Sequence, residues 1–211
     1  MSTTDFPPLA GAKLILAAIV LSLGNFMVVL DTTITNVALP TISGYLGVST
    51  TEGLWIITAY AVAEAITVPL TGWLVRRFGQ VRVFVWSVAA FVIFSVACGL
   101  SWSLASLVIF RVLQGLAGGP LIPLSATLLL SVFPKARSNV ALALWGMMTV
   151  VAPIIGPIMG GLISDNWHWQ WVFYINVGFG AVVGVGAISV LRGRESAITR
   201  SPIDIMGLLL L

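Results

Sequence analysis

Six apolar runs, each long enough to cross a lipid bilayer, leave this 211-residue chain little choice of architecture. They span roughly Ala12–Ala38, Leu54–Leu74, Val83–Leu100, Leu104–Phe133, Val140–Ser164 and Trp171–Leu191. A helix needs about 20 mostly apolar residues to cross the hydrocarbon. A seventh run begins at Ile203 and reaches Leu211. None of the runs alternates apolar and polar residues as the wall of a membrane barrel would. The fourth is longer than one span requires, so its inner end is expected to tilt or to run past the membrane. The class is therefore an all-α membrane protein. With 59% hydrophobic and 8% charged residues, the chain has far less charge than the roughly 25% of a soluble domain. The first run is too long for a signal peptide and ends in polar residues rather than a small-residue cleavage site, so it is read as a retained span.

The connecting segments set the orientation. Lys13 precedes the first span, and Arg76, Arg77 and Arg82 lie between the second and third. Lys135 and Arg137 follow the fourth span, and Arg192, Arg194 and Arg200 follow the sixth. The opposite loops, PTISGYLGVSTTEG, SWS and SDNWHWQ, hold neither Lys nor Arg. The positive-inside rule makes the basic side cytoplasmic, with the N-terminus on that side. This pattern accounts for the net charge of +3 without a nucleic-acid partner.

Three ionisable residues are left at membrane depth: Asp31, Glu64 and Arg111. Residues of this kind mark functional sites by default, each requiring a partner. At a rise of about 1.5 Å per residue, Asp31 and Arg111 both lie about 10 Å from the outer ends of their spans. Equal depth allows an ion pair, either static and fixing helix packing or active in function. Glu64 lies near the midplane, with Tyr60, Thr67 and Thr71 expected on its helix face; it is either functional or a solvated cavity-wall residue. Thr32, Thr33, Thr35 and Asn36 gather polar groups behind Asp31.

Small residues punctuate the later spans. Arg111, Gln114, Gly115, Gly118 and Gly119 recur at three- and four-residue steps. In the fifth span Ala152, Gly156 and Gly160 form a stripe that admits a closely packed neighbour, expected to be a helix of a second half. Pro153 and Pro157 each remove a backbone donor and invite a bend. Close packing alone accounts for this composition, and a moving gate needs the same features. Soluble chemistry is absent: His168 is the single histidine and Cys98 the single cysteine, so no disulfide or metal site is read, and no hydrolase or phosphate-binding motif appears. Trp167, Trp169 and Trp171 read as an interfacial aromatic belt.

Four stretches together resemble the major facilitator superfamily, and within it the fourteen-span drug–proton antiporters of the EmrB type. LDTTITNVALP, residues 30–40, resembles the signature closing the first span. GWLVRRFGQVR, residues 72–82, resembles the loop motif G-x-L-x-D-R-x-G, except that Arg76 replaces the usual acid, so the charge relay attributed to that loop does not carry over whole. LVIFRVLQGLAGG, residues 107–119, matches the fourth-span motif, and APIIGPIMGG, residues 152–161, the antiporter motif with Ala152 in place of its first glycine. HWQWVFYIN, residues 168–176, is also similar to EmrB-type sequences.

The resemblance implies a six-helix bundle of two inverted three-helix repeats. Residues 1–11 would form a cytoplasmic tail, 12–191 the bundle, 192–202 a cytoplasmic loop and 203–211 the start of a seventh span. The chain would then be the amino-terminal half of a longer protein. It further implies a transporter rather than an enzyme, needing no cofactor or metal: a proton-coupled antiporter exporting amphipathic drugs across the bacterial inner membrane. A periplasmic adaptor and an outer-membrane channel would be partners of that family type. Asp31 and Arg111 would couple to protons, with Glu64 added on depth alone. Asn36, Tyr60 and Gln114 would line the substrate cavity. Gly72, Arg77, Gly79, Pro153, Gly156, Pro157, Gly160 and Gly161 would serve gating. A solute–proton symporter of the same superfamily, an intramembrane enzyme and a non-transporting membrane fragment are the competing readings; the fifth-span motif favours antiport over symport.

Overall fold

A computed structural model describes residues 6–195 and 198, and among these the secondary structure is entirely helical. The elements are α1 (Gly11–Tyr45), α2 (Thr50–Phe78), α3 (Gln80–Gly99), α4 (Leu104–Gly118), α5 (Leu121–Val132), a 3-10 turn (Lys135–Arg137), α6 (Ser138–Asn166) and α7 (Trp171–Leu191). The run beginning at Ile203, together with Arg200, lies outside the described residues. Among the described residues, six spans are long and apolar enough to cross a membrane, with α4 and α5 together forming the fourth.

Local chemistry explains where the helices start and stop. Ser49 and Glu52 form a reciprocal capping box at the start of α2, and Ser103 and Ser106 do the same for α4, satisfying backbone donors that a helix start leaves orphaned. Between α2 and α3 the chain turns on Gly79 alone, whose φ of +95° suits glycine. The long fourth run is broken in two rather than tilted: Gly118 and Gly119 precede Pro120, which lacks the N–H to continue the ladder. By contrast, α1 passes through Pro40, and α6 through Pro153 and Pro157. At 35 residues, α1 extends about 50 Å. That exceeds the roughly 30 Å of hydrocarbon, so it carries the chain beyond the expected end at Ala38.

Helix α1 lies at the centre of the bundle, packed on α6, α7, α5 and α2. Two interfaces repeat. The first span packs on the fifth and sixth, α6 and α7, while the fourth packs on the second and third, α2 and α3. Exchanging spans one to three with four to six maps each of these contacts onto another, as two inverted three-helix repeats require. Glycines bring both diagonal interfaces close. On the fourth span, a Cβ at Gly115 would collide with the Tyr60 carbonyl, and one at Gly119 would lie 2.8 Å from the Glu64 carbonyl. On α6, a Cβ at Gly156 would collide with the Thr33 hydroxyl, and one at Gly160 would lie 3.1 Å from the Ile34 carbonyl. The Ala152/Gly156/Gly160 stripe therefore faces α1 of this same chain, correcting the expectation that it waits for a helix of a second half. The opposite face of α6, with Val150, Ile154 and Ile158, is exposed.

Two apolar clusters fill the interior. One holds Leu21, Phe84, Phe91, Leu121 and Val183; the other holds Ile34, Ile56, Leu107, Trp169 and Phe173. Trp169 is only 2% exposed and packs edge-on against Phe173 at 6.1 Å. Only Trp167 and Trp171 of the expected belt reach the surface; Trp169 faces inward from its short connection and plugs the bundle end.

These contacts separate two glycines of α6. Gly156→Leu should lower the thermal stability of the detergent-solubilised protein, since overpacking of this sort costs about 1–3 kcal/mol. Gly146, with no atom within 4 Å of its would-be Cβ, should accept leucine within about 0.5 kcal/mol.

Candidate functional site

Between the two apolar clusters lies a polar layer, and Asp31 is its centre. The carboxylate has no exposed surface. Its Oδ2 accepts a hydrogen bond from Arg111 Nη1 at 2.6 Å. Its Oδ1 accepts from Gln114 Nε2 at 3.1 Å and from Asn176 Nδ2 at 2.6 Å. Thus α4 and α7 both hold a carboxylate supplied by α1. Arg111 is equally buried. Its Nε donates to the Ile56 carbonyl at 3.2 Å, and Nη1 also donates to Gln114 Oε1 at 2.9 Å. The guanidinium carbon lies 4.1 Å from the Tyr60 ring centroid and 5.7 Å from that of Phe173, so aromatic faces help replace its lost hydration.

The equal depth of Asp31 and Arg111 is thus realised as a direct, charge-assisted contact. Removing an ion from water costs several kcal/mol, which its partner repays only with good geometry and further hydrogen bonds. Here the carboxylate has three donors, and the guanidinium has one anion and two neutral acceptors. The ensemble draws on α1, α2, α4 and α7, with α3 joining through Ser95 and Cys98. Ser95 Oγ accepts from Asn176 Nδ2 at 2.9 Å and donates to the Phe173 carbonyl at 2.9 Å. The Cys98 thiol points to Gln114 Oε1 at 3.5 Å.

The other residues singled out in the sequence are distributed differently. Tyr60 and Gln114 have no exposed surface, so in this conformation they support Arg111 and Asp31 rather than line an open cavity. Asn36 is exposed on α1. Glu64 is half-buried; the buried face of α2 runs Ile56, Tyr60, Ala63, Thr67, Thr71, so Glu64 sits at its edge instead of sharing it. Thr67 and Thr71 hydrogen-bond back along their own helix, to the carbonyls of Ala63 and Thr67. Glu64 Oε1 is buried without a hydrogen-bond partner among the described residues. Gly72 and Arg77 are exposed near the end of α2. Pro153 and Pro157 lie inside α6, and Gly161 has no atom within 4 Å of a would-be Cβ. A cavity of about 510 Å³ opens between Tyr45, Leu100, His168, Trp171 and Tyr174, lined by none of the ion-pair residues.

Several partners escape a sequence reading. Asn176 is an uncharged amide inside the sixth apolar run, detectable only as a polar interruption. Asn25 bonds Thr149 at 2.6 Å, joining α1 to α6, and Trp145 bonds Ser125 at 2.9 Å, joining α6 to α5. At the α2–α3 turn, where Arg76 replaces an acid, Glu195 supplies a carboxylate. Its oxygens accept from the amides of Val81 and Arg82 at 2.9 and 3.2 Å, satisfying donors at the start of α3 where negative charge is favoured. The Glu195 side chain also lies where a Cβ on Gly79 would have to go.

Breaking the pair on one side should cost far more than removing both charges. Arg111→Ala strands the Asp31 carboxylate and should destabilise the protein by about 3–5 kcal/mol. Asp31→Asn combined with Arg111→Leu should recover most of that loss in thermal unfolding of the detergent-solubilised protein.

Comparison with known proteins bears out the resemblance carried by the four motifs. Residues 21–204 match the family model described as Major Facilitator Superfamily. The multidrug export protein EmrB of Escherichia coli strain K12 is 56% identical over 204 residues, covering 97% of this chain and 40% of that protein. The fatty acid resistance protein FarB of Neisseria gonorrhoeae is 52% identical over 207 residues, covering 98% and 41% respectively. The chain thus spans about 40% of the length of these curated relatives. Among solved structures, a POT family transporter in complex with 5-aminolevulinic acid superposes with a TM-score of 0.77 at 15% identity, covering 96% of this chain and 46% of that one. A bacterial homologue of the lysosomal transporter Spinster gives 0.70 at 19% identity, covering 93% and 46%. At such identities these structures speak for the fold alone, and they agree with the six-span bundle. With its motifs, its fold and its family model in accord, the chain belongs to the Major Facilitator Superfamily.

Proposed function

We propose that this chain forms part of a proton-coupled antiporter that exports amphipathic drugs or other toxic compounds, with Asp31 as the proton-carrying group. The observation that carries the reading is the fully buried Asp31–Arg111 pair, built across four spans of a chain 56% identical to a multidrug export protein. A carboxylate is retained at this depth, despite its desolvation cost, when its charge is used.

The chemistry follows from two opposing effects. Arg111⁺ favours the ionised carboxylate, while loss of water favours the neutral acid. Small changes in access or helix spacing therefore shift the balance between the two states. When the site opens outward, Asp31 takes up a proton and its attraction for Arg111 weakens. When it opens to the cytoplasm, the proton leaves and a drug enters from the same side. Drug and proton exclude each other, and the cycle becomes exchange. Because neither charge is exposed in the present conformation, access requires helix movement. The diagonal interfaces, closely approached through Gly115, Gly119, Gly156 and Gly160, are suited to it. Gly72 and Arg77 near the end of α2, with Gly79 at the α2–α3 turn, would then hinge the cytoplasmic end, and the α6 motif with Pro153, Pro157 and Gly161 would carry the moving face.

Glu64, at the edge of the same layer, serves as a second carboxylate or as the attraction for cationic compounds, and Asn36 presents a polar contact on the exposed face of α1. In this reading Lys13, Arg77 and Lys135 face the cytoplasm, as the positive-inside rule supports, and the protein sits in a bacterial inner membrane. A periplasmic adaptor and an outer-membrane channel would carry the exported compound onward.

Everted membrane vesicles containing the native-length protein test the assignment. Asp31→Asn should eliminate drug uptake driven by an imposed pH gradient while drug binding persists, and Arg111→Ala should impair it. Uphill transport by Asp31→Asn at the wild-type rate would leave Asp31 a structural residue only.

A further inference from the structure

We infer that Asn176 is a positioning residue whose side-chain amide turns over when Asp31 is protonated, passing the proton state of α1 to α3 and α7. The inference deepens the proton-coupling reading and rests on it. It begins with an inventory of hydrogen bonds. Every side-chain group now meeting the Asp31 carboxylate is an N–H donor: Arg111 Nη1, Gln114 Nε2 and Asn176 Nδ2. That set suits an anion. A neutral carboxylic acid carries an O–H and needs an acceptor in the same place.

Two amide oxygens lie in the layer. Gln114 Oε1 already accepts from Arg111 Nη1 at 2.9 Å, so the cation pins that amide in its present orientation. Asn176 Oδ1 is buried and has no hydrogen-bond partner among the described residues. Asn176 is also the closer of the two amides, with Nδ2 2.6 Å from Asp31 Oδ1. Exchanging its oxygen and nitrogen by a half-turn about the Cβ–Cγ bond leaves the side-chain shape nearly unchanged. The oxygen then stands where the nitrogen did, within reach of both Asp31 Oδ1 and Ser95 Oγ.

Ser95 completes the alternative. In the present arrangement its hydroxyl accepts from Asn176 Nδ2 and donates to the Phe173 carbonyl. After the turn, the same hydroxyl rotates and donates to Asn176 Oδ1, which also accepts the Asp31 O–H. Donor and acceptor roles are then reversed at both contacts: the Asp31 and Ser95 protons share the Asn176 oxygen, the Phe173 carbonyl gives up the Ser95 hydroxyl, and Asn176 Nδ2 turns to the buried position that Oδ1 now holds, which has no hydrogen-bond partner among the described residues. Arg111 keeps its neutral acceptors, the Ile56 carbonyl and Gln114 Oε1. The charged and titratable groups around Asp31 are Arg111 on α4, Glu64 and Tyr60 on α2, and Cys98 on α3. On α7 the group in contact is Asn176 itself, which is uncharged, so α7 reads the proton through hydrogen-bond polarity alone.

The probe is the proton itself, read by infrared difference spectroscopy of the native-length protein in lipid between alkaline and acid pH. Protein carrying asparagine labelled with ¹³C at the side-chain carbonyl gives the assignment. The expected result is a carboxylic-acid band that Asp31→Asn removes, accompanied by an isotope-sensitive asparagine amide band that both Asp31→Asn and Asn176→Ser remove. The serine hydroxyl can donate or accept, so Asn176→Ser should retain part of the pH-driven drug transport, and Asn176→Leu, which can do neither, should lose it. An Asp31 carboxylic-acid band with no accompanying asparagine band, or an asparagine band that survives Asn176→Ser, would overturn the switch while leaving Asp31 as the proton carrier. Absence of any Asp31-dependent carboxylic-acid band would overturn both.

Discussion

The cost of holding Asp31 and Arg111 away from water sets the terms for the rest of this bundle. In a low-dielectric interior an isolated ion of either sign is untenable, and a bare pair barely repays its desolvation. The structure surrounds the pair with oriented dipoles and aromatic faces: the Gln114 and Asn176 amides, the Ile56 carbonyl, and the rings of Tyr60 and Phe173. These come from different helices, so the relative position of α1, α2, α4 and α7 is specified by polar contacts as well as by packing. Association of helices in lipid gains little from hydrophobicity, and a shared ion pair supplies a specific registry.

Close backbone approach is what makes that registry attainable. Gly115 brings α4 to the Tyr60 carbonyl on α2, and Gly156 brings α6 to Thr33 on α1. The two interfaces are equivalent under exchange of the three-helix repeats, yet the glycines sit on the fourth span in one and the fifth in the other. Asp31 and Arg111 occupy comparable depths on the first and fourth spans, which the same exchange relates. The pair therefore lies near the pseudo-symmetry axis, where a tilt of one repeat against the other alters its surroundings most directly.

How far this was legible in the sequence follows from the range of each signal. Hydropathy is local, so the six spans and the fold class were readable from the chain alone. Charged residues stand out in apolar runs, so Asp31, Glu64 and Arg111 were found, and depth arithmetic allowed the contact that two of them make. Asn176 and Ser95 carry no charge and lie far from Asp31 along the chain, so nothing local linked them to it. Glu195 was hidden for a similar reason: its contact with the α2–α3 turn crosses 114 residues. Trp169 and the Gly156 stripe were visible as motifs, but which way each faces depends on how the spans pack. That information is absent from a helix read by itself.

Direct proton counting tests the central claim, that the Asp31 carboxylate exchanges its proton against the transported compound. The native-length protein, purified in weakly buffered detergent solution near the midpoint of its transport–pH profile, is mixed with a transported drug while released protons are followed with a pH indicator. The account predicts proton release that saturates with drug binding, is abolished by Asp31→Asn, and is independent of the chemical class of the drug. Saturable drug binding with undiminished proton release from Asp31→Asn would contradict it.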